Sequence, residues 1–296
     1  MRRLRVWLLA SRPATLTAAV APLGVGGALA LRDGVADAAA WSAALLGALF
    51  IQLGTNYAND VFDFEKGADT AARVGPVRAT QAGLVSPRAM RVAMGLAFAC
   101  AALCGSHLVW RAGWPIALLG AASIASGVAY TGGPWPLGYH GLGDVFVFVF
   151  FGIAATVGTY FVEAGHTTAD AWIWSVSVGA SCTAILVVNN VRDVETDRQA
   201  GKRTLAVRWG VGLASGEYAL LLGLATLLPL GMALWQTAPW LALPSLIAPL
   251  AWRHWRALAE SREPQALNVL LAATARLHLV SGLLISAAIL LDARGR

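Results

Sequence analysis

The chain has 296 residues, of which 57% are hydrophobic and only 13% are charged, and its mean hydropathy is +0.63. Because a soluble domain carries about a quarter charged residues, this composition excludes an ordinary soluble protein. The formal net charge of +6 is not accompanied by any RNA-binding or DNA-binding motif, so we expect no nucleic-acid partner.

Nine apolar stretches along the chain approach the roughly 20 residues that a helix needs to cross a bilayer. They predict an all-α membrane protein with about nine transmembrane helices. The first stretch is not expected to be a cleaved signal peptide, because eight more stretches follow it. The stretches cover residues 14–31, 38–59, 92–110, 112–131, 145–162, 171–191, 218–235, 237–252 and 266–291.

Lysine and arginine are distributed unevenly between the two sides that nine crossings would define. Most of the 22 basic residues fall in the N-terminal segment and in the loops that share its side. The other side receives Arg32, Arg111, Arg294 and Arg296, while Arg276 lies within the last stretch. Because positive residues favour the cytoplasmic side, we predict a multi-pass protein of the cytoplasmic (inner) membrane whose N-terminus is cytoplasmic.

Two short acidic windows follow the second and sixth apolar stretches, both on the predicted cytoplasmic side. They are NDVFDFEKGAD, residues 59–69, and NNVRDVETDRQAGKRTL, residues 189–205. Asn59 and Asp63 share a spacing of four with Asn189 and Asp193, and Asp193 and Asp197 repeat it. Residues four apart lie on one helix face, so each window is expected to present oxygen ligands in one direction.

Carboxylates crowded this closely repel one another unless a cation lies between them. Proteins usually hold Mg²⁺ with one or two carboxylates and leave positions free for substrate phosphates. Nearby basic residues supply charge-assisted donors for an anion, namely Lys66, Arg73, Arg78, Lys202 and Arg203. The two matching windows therefore predict a site that binds a diphosphate through bridging Mg²⁺, whereas a single acidic cluster after a membrane helix is more typical of a solvated loop.

The two windows resemble the aspartate-rich motifs of the UbiA superfamily of intramembrane prenyltransferases. Three further segments resemble the 1,4-dihydroxy-2-naphthoate polyprenyltransferases of menaquinone biosynthesis: RPATL, residues 12–16, GPVRATQAGLVSP, residues 75–87, and YTGGPWPLGYHGLGDVFVFVFFG, residues 130–152. The resemblance extends from about residue 7 to residue 210. The general first motif would end at Gly67, but here its last carboxylate is Asp69. This longer spacing is similar to that of the naphthoate branch and puts 4-hydroxybenzoate as acceptor in doubt.

The resemblance implies a single transmembrane prenyltransferase domain over residues 1–296, built around a central cavity. The loops after helices 2 and 6, at about residues 60–91 and 192–208, would form a cap over its cytoplasmic mouth. The implied reaction transfers a polyprenyl group from an isoprenoid diphosphate to 1,4-dihydroxy-2-naphthoate, with Mg²⁺ as cofactor. It releases diphosphate and CO₂ and gives demethylmenaquinone, and the lipid bilayer is the remaining partner.

The motif match also implies roles for individual residues at the catalytic centre. The expected Mg²⁺ ligands are Asp63, Asp193 and Asp197. Asn59 and Asn189 are expected to be further ligands or donors to the diphosphate. Two more carboxylates, Asp60 and Asp69, are expected to divide two tasks. One ligates the metal, with Asp69 as the candidate, and the other holds Lys66 or Arg78 in place.

The remaining candidates are expected to contact substrate. Four of them could touch the diphosphate, and these are Lys66, Arg78, Lys202 and Arg203. The competing interpretation for each of these cations is that it faces lipid headgroups. Arg12 could meet the carboxylate of the acceptor, and Tyr139 could line the acceptor site. Asn190 either contacts substrate or only satisfies a helix end, as does Asn56.

Other functions share parts of this pattern. Heme O synthase, phytyl transfer to naphthoate and 4-hydroxybenzoate prenylation share the chemistry, and identification of the product would separate them. A cation-coupled transporter also places carboxylates and asparagines on transmembrane helices, but it would leave a prenyl diphosphate unchanged. A non-enzymatic scaffold would bind lipid tightly without depending on a metal.

Overall fold

The computed structural model describes residues 2–69 and 75–295, and every regular element in these ranges is a helix, which confirms the predicted all-α class. Two 3₁₀ helices, Leu137–His140 and Pro239–Ile247, precede α6 and α11, and a π-helix, Phe148–Ala154, joins α6 to α7. The α-helices are α1 Arg2–Ser11, α2 Pro13–Arg32, α3 Ala38–Glu65, α4 Pro87–Ala112, α5 Trp114–Ala129, α6 Gly143–Val147, α7 Ala155–Ala164, α8 Ala169–Arg192, α9 Val194–Gln199, α10 Leu205–Trp235, α11 Ala248–Glu260 and α12 Pro264–Gly295.

Seven helical segments within the described ranges are long and apolar enough to cross a membrane, so the protein is a multi-pass membrane protein. The fourth predicted stretch is the shorter apolar helix α5. The eighth begins as the 3₁₀ helix Pro239–Ile247, because Pro244 has no amide hydrogen for an α-helical bond, and continues as α11. The count of nine spans therefore stays a prediction.

Two glycines allow neighbouring helices to approach very closely. A β-carbon added at Gly152, in the π-helix, would lie 2.5 Å from the Cα of Gly179 in α8. One added at Gly282 in α12 would lie 2.6 Å from the Cβ of Ala21 in α2. Any larger residue at either position would push the helices apart.

The two acidic windows have different local structures. Helix α3 continues to Glu65, six residues beyond the predicted end of its apolar stretch at Asn59, so most of the first window is helical. Helix α8 ends at Arg192, and the second window then turns into the short helix α9 and a loop. Contacts between residues of the two windows bring them to the same end of the bundle.

Candidate active site

Asp63, near the C-terminal end of α3, is the point at which three segments converge. Its carboxylate is buried, with 1% of the residue exposed. Arg78 Nη2 donates to Oδ2 at 3.1 Å, and the Tyr139 hydroxyl donates to Oδ1 at 3.0 Å. Lys202 Nζ, from the loop of the second window, lies 3.3 Å from the same Oδ1. A buried carboxylate is tolerated only with such partners, so these contacts hold the three segments together at this end of the bundle.

The other two aspartates of the first window act on the loop that carries Arg78. Asp60 accepts hydrogen bonds from the backbone amides of Ala79 and Thr80, each at 2.9 Å. Arg78 Nε lies 3.2 Å from Asp69 Oδ2, an ion pair without hydrogen-bond alignment. Both carboxylates therefore position Arg78 against Asp63.

The Tyr139 ring lies between two lysines. Lys66 Nζ is 5.1 Å and Lys202 Nζ is 4.9 Å from the ring centroid, which is cation–π range. Burial raises the pKa of the Tyr139 phenol, and the negative charge of Asp63 raises it further, so the phenol remains a hydrogen-bond donor. Burial lowers the pKa of Lys66 against the opposing charge of Asp63, and this lysine also donates to the Thr131 carbonyl at 2.6 Å.

The second window is braced by an arginine within it. Arg192 Nε donates to Asp193 Oδ1 at 2.7 Å, and Nη2 donates to Oδ2 at 2.6 Å. The same guanidinium donates to the amide oxygens of Asn189 and Asn268, each at 2.9 Å. The Arg192 side chain is 0% exposed, so the guanidinium of this bidentate pair is shielded from water.

Backbone contacts close the second window and join it to the loop before α6. The amide of Lys202 donates to the carbonyl of Asp197 at 2.8 Å and closes the turn that precedes the lysine. The amide of Arg203 donates to the carbonyl of Tyr139 at 2.8 Å. In the turn that follows α5, the Thr131 hydroxyl donates to the Asn59 amide oxygen of α3 at 2.9 Å. The mouth is therefore formed jointly by both windows and by the loop before α6.

A cavity of about 1130 Å³ joins the two windows. Its body is apolar and includes Ile51, Leu119, Phe150 and Leu186. Its polar end is lined by Arg12, Asn59, Asp63, Arg78, Tyr139, Asn189, Asn190, Asp193, Asp197 and Lys202. Four predicted site residues do not line it within the described ranges, and these are Asp60, Lys66, Asp69 and Arg203. Arg73 lies outside the described residues.

Arg12 reaches the cavity from the break between α1 and α2. Its φ of 51° lies in the left-handed region, which non-glycine residues rarely adopt. The Asn56 amide donates to the Ser11 carbonyl and to the Thr15 hydroxyl, each at 2.9 Å, and so holds this break against α3. Strain of this kind persists only where surrounding contacts support it, and Asn56 provides that support.

Oxygen donors from both windows face the cavity, yet the described residues contain no group of three or more His, Cys, Asp or Glu side chains placed to hold a metal alone. Mg²⁺ usually takes one or two protein carboxylates and completes its shell with water and substrate phosphates. The available donors are Asn59, Asp63, Asn189, Asp193 and Asp197. They fit an ion bound together with a diphosphate and not a preformed protein cage.

Reasoning from sequence missed the bracing side chains. Arg192 resembles one more cytoplasmic cation, although its place at the end of an otherwise uncharged helical run, directly before Asp193, is a signal that a buried pair forms. Asn268 lies in α12, beyond the part of the chain that carries the motifs. Thr131 has no signal in the sequence, because only the packing of α5 against α3 brings it to Asn59.

The fold and the cavity define a multi-pass helical membrane protein with a charged mouth and an apolar chamber that both acidic windows share. The chain belongs to the UbiA prenyltransferase family, whose family model matches residues 19–280. This membership confirms the resemblance that the motifs indicated.

Relatives and solved structures agree with this assignment. The 1,4-dihydroxy-2-naphthoate octaprenyltransferase of Mycobacterium tuberculosis is 38% identical over 289 residues, covering 96% of each chain. The protein of the same name from Haemophilus influenzae is 33% identical over 299 residues, covering 98% of this chain and 97% of the relative. A UbiA homologue from Archaeoglobus fulgidus, solved with GPP and Mg²⁺ bound, matches with a TM-score of 0.69 and 14% identity over 95% of this chain and 99% of that one, which shows the common fold.

Proposed function

We propose that this protein transfers a polyprenyl group from an isoprenoid diphosphate to 1,4-dihydroxy-2-naphthoate. The observation that carries the proposal is the division of the cavity into a charged mouth and an apolar body. An isoprenoid diphosphate has the same division between its head and its tail. Family membership and the names of the relatives support prenyl transfer to this acceptor.

The diphosphate head belongs at the polar end of the cavity. Arg78 and Lys202 already contact Asp63, so they are placed to donate to phosphate oxygens that arrive beside it. Mg²⁺ would be held by Asp63, Asp193 and Asp197, together with the amide oxygens of Asn59 and Asn189. The Archaeoglobus homologue solved with GPP and Mg²⁺ supports this choice of metal. When bound, the ion supplies positive charge that stabilises the leaving diphosphate.

The reaction breaks the C–O bond between the allylic carbon and the diphosphate. The ring carbon that bears the carboxylate supplies the electron pair for the new C–C bond, and loss of CO₂ returns a pair to the ring. The product is therefore the reduced form of demethylmenaquinone. Arg78 and Lys202 neutralise charge as the diphosphate departs, and the cap segments would exclude water that could trap the allylic cation.

Under this proposal, five further predicted site residues act either from the wall of the cavity or from outside it. Arg12 faces the cavity and would bind the acceptor carboxylate. Tyr139 donates to Asp63 and therefore acts on the donor side of the mouth. Lys66 and Arg203 act from outside the cavity through backbone contacts. Asn190 lines the cavity, and its amide nitrogen lies 3.5 Å from Asp144 Oδ1.

The orientation and the extent of the domain are part of the proposal. We place the mouth, with cap segments at about residues 60–91 and 192–208, on the cytoplasmic side of the inner membrane, within one domain over residues 1–296. Single cysteines at two exposed positions test the orientation, Glu195→Cys and Thr167→Cys. A membrane-impermeant thiol reagent added to intact cells should label the second variant above the background of the native cysteines, and labelling of the first instead would reverse the orientation.

Product identification tests the activity itself. The purified protein in lipid nanodiscs is incubated with Mg²⁺, a labelled isoprenoid diphosphate and either 1,4-dihydroxy-2-naphthoate or 4-hydroxybenzoate, and products are identified by mass. We expect a prenylated, decarboxylated naphthalene product. An equal or faster reaction with 4-hydroxybenzoate would contradict the acceptor, and recovery of unchanged diphosphate with both acids would contradict the enzyme.

A further inference from the structure

Gln52 is a polar residue halfway along α3, about 20 Å from either end of the helix at a rise of 1.5 Å per residue. It is 8% exposed and lines the cavity. Within the described part of the chain, its side-chain amide makes no hydrogen bond. Its amide atoms are accessible from the cavity, so an unpartnered amide at membrane depth offers a hydrogen-bonding group to a ligand that enters there.

Gln52 belongs to a line of polar side chains on one face of α3. Asn56, Asn59 and Asp63 follow it at spacings of four, three and four residues, and all four line the cavity. The upper three have protein partners, since Asn56 binds Ser11, Asn59 binds Thr131 and Asp63 binds Arg78. Gln52 continues this line about 10 Å below Asn59, where the surrounding cavity becomes apolar.

The isoprenoid donor cannot satisfy Gln52. Its polar atoms all belong to the diphosphate, which is held at the level of Asp63, and the remainder is hydrocarbon. A polar group at the level of Gln52 must therefore come from the aromatic acceptor. We propose that the Gln52 amide binds the 4-hydroxyl group of 1,4-dihydroxy-2-naphthoate, an inference that rests on the proposed function.

The chemistry of the reaction fixes which hydroxyl group points down. The ring carbon that bears the carboxylate must meet the allylic carbon, which is one bond away from the diphosphate at the mouth. The carboxylate edge of the acceptor is thus uppermost, within reach of Arg12. The 4-hydroxyl lies farther from that carbon than the 1-hydroxyl does, so it points toward Gln52. The amide acts as a positioning and specificity residue and takes no part in bond making.

The test compares two acids that differ only at this hydroxyl, 1,4-dihydroxy-2-naphthoate and 1-hydroxy-2-naphthoate. For wild type and Gln52→Leu, we measure the KM of the first acid and the inhibition constant of the second, together with the KM of the donor. Loss of one buried hydrogen-bond partner corresponds to about 5-fold to 100-fold in affinity. Wild type should favour the dihydroxy acid by a factor in this range, and Gln52→Leu should lose that preference while its donor KM stays unchanged.

Two further variants keep the result interpretable. Ser106→Ala is the matched control, because Ser106 lines the same cavity but its hydroxyl already donates to the Leu103 carbonyl at 2.7 Å. It should retain the wild-type preference. Gln52→Met serves if the leucine variant does not fold. An unchanged preference in an active Gln52 variant, or a rise in donor KM alone, would overturn the inference. Absence of product from wild type with any aromatic acid would instead overturn the proposed function.

Discussion

The two acidic windows are similar in sequence but obtain their cations differently. In the first, three segments outside α3 supply the contacts of Asp63: Arg78 in the following loop, Tyr139 before α6 and Lys202 after α9. In the second, both carboxylate oxygens of Asp193 accept hydrogen bonds from the adjacent residue, Arg192. The contacts of Asp63 therefore depend on tertiary packing, whereas the pair between Arg192 and Asp193 joins neighbouring residues at the end of α8.

This difference separates two tasks within one mouth. A lysine side chain is long and flexible, so a carboxylate that it contacts can exchange the ammonium group for a metal and a diphosphate without a change in its own helix. A carboxylate bound bidentately by a fully buried arginine is held in one geometry. We therefore expect the first window to adjust to the donor and the second to provide a fixed reference.

Loss of either central aspartate should have the largest effect and should show whether the windows act as one site. Asp63→Ala and Asp193→Ala should each reduce turnover by at least about 10²-fold, the scale of losing one electrostatic stabiliser. If both hold the same diphosphate through shared ions, the double variant should be little worse than either single one. Steady-state kinetics with and without EDTA measure this, and independent, multiplying losses in an EDTA-resistant enzyme would contradict a shared site.

The fixed character of the second window predicts a large effect on stability. Arg192→Met leaves the Asp193 carboxylate buried without its partner, which costs about 3–5 kcal/mol in the free energy of unfolding. Thermal unfolding in detergent measures the loss. Arg198→Met is the matched control, because its pair with Glu195 is exposed and should change the midpoint little. Equal midpoints for the two variants would show that Arg192 does not brace the window.

The same contrast explains what could be predicted from the sequence. Most of the helices follow from apolar length alone, which is a local property, and the long apolar runs of α3, α8 and α12 were placed correctly. The Pro239–Ile247 segment was harder, because prolines change the helix type without changing hydropathy. The acidic windows were visible as spacing, but their partners were not. Arg78 meets Asp63 only through a loop folded by Asp60, and no pattern in the chain encodes that distance.

Lys202 tests the adjustable character of the first window. Lys202→Met removes the cation that lies 3.3 Å from Asp63 and that faces the arriving diphosphate. Hydrogen bonds to charged groups contribute about 1.5–3 kcal/mol, so the donor KM should rise roughly 10-fold to 100-fold while the acceptor KM stays constant. Lys66→Met is the control, since Lys66 donates to the Thr131 and Gly133 carbonyls and does not line the cavity within the described residues. A larger donor effect for Lys66 would reverse these roles.

The smallest effect is expected for Tyr139, whose hydroxyl makes one hydrogen bond to Asp63 at 3.0 Å. Tyr139→Phe keeps the ring between Lys66 and Lys202 and loses only that bond, so turnover should fall about 2-fold to 10-fold. Burial raises the pKa of the phenol, and the charge of Asp63 raises it further, so it lies above the ordinary value of about 10. A raised pKa means that the proton is present at every pH below that value and is lost only above it. The ratio of wild-type to variant activity should therefore stay constant between about pH 6 and pH 9. A ratio that falls toward unity as the pH approaches 9 would mean that the phenol ionises there, and that Asp63 is held by its two cations alone.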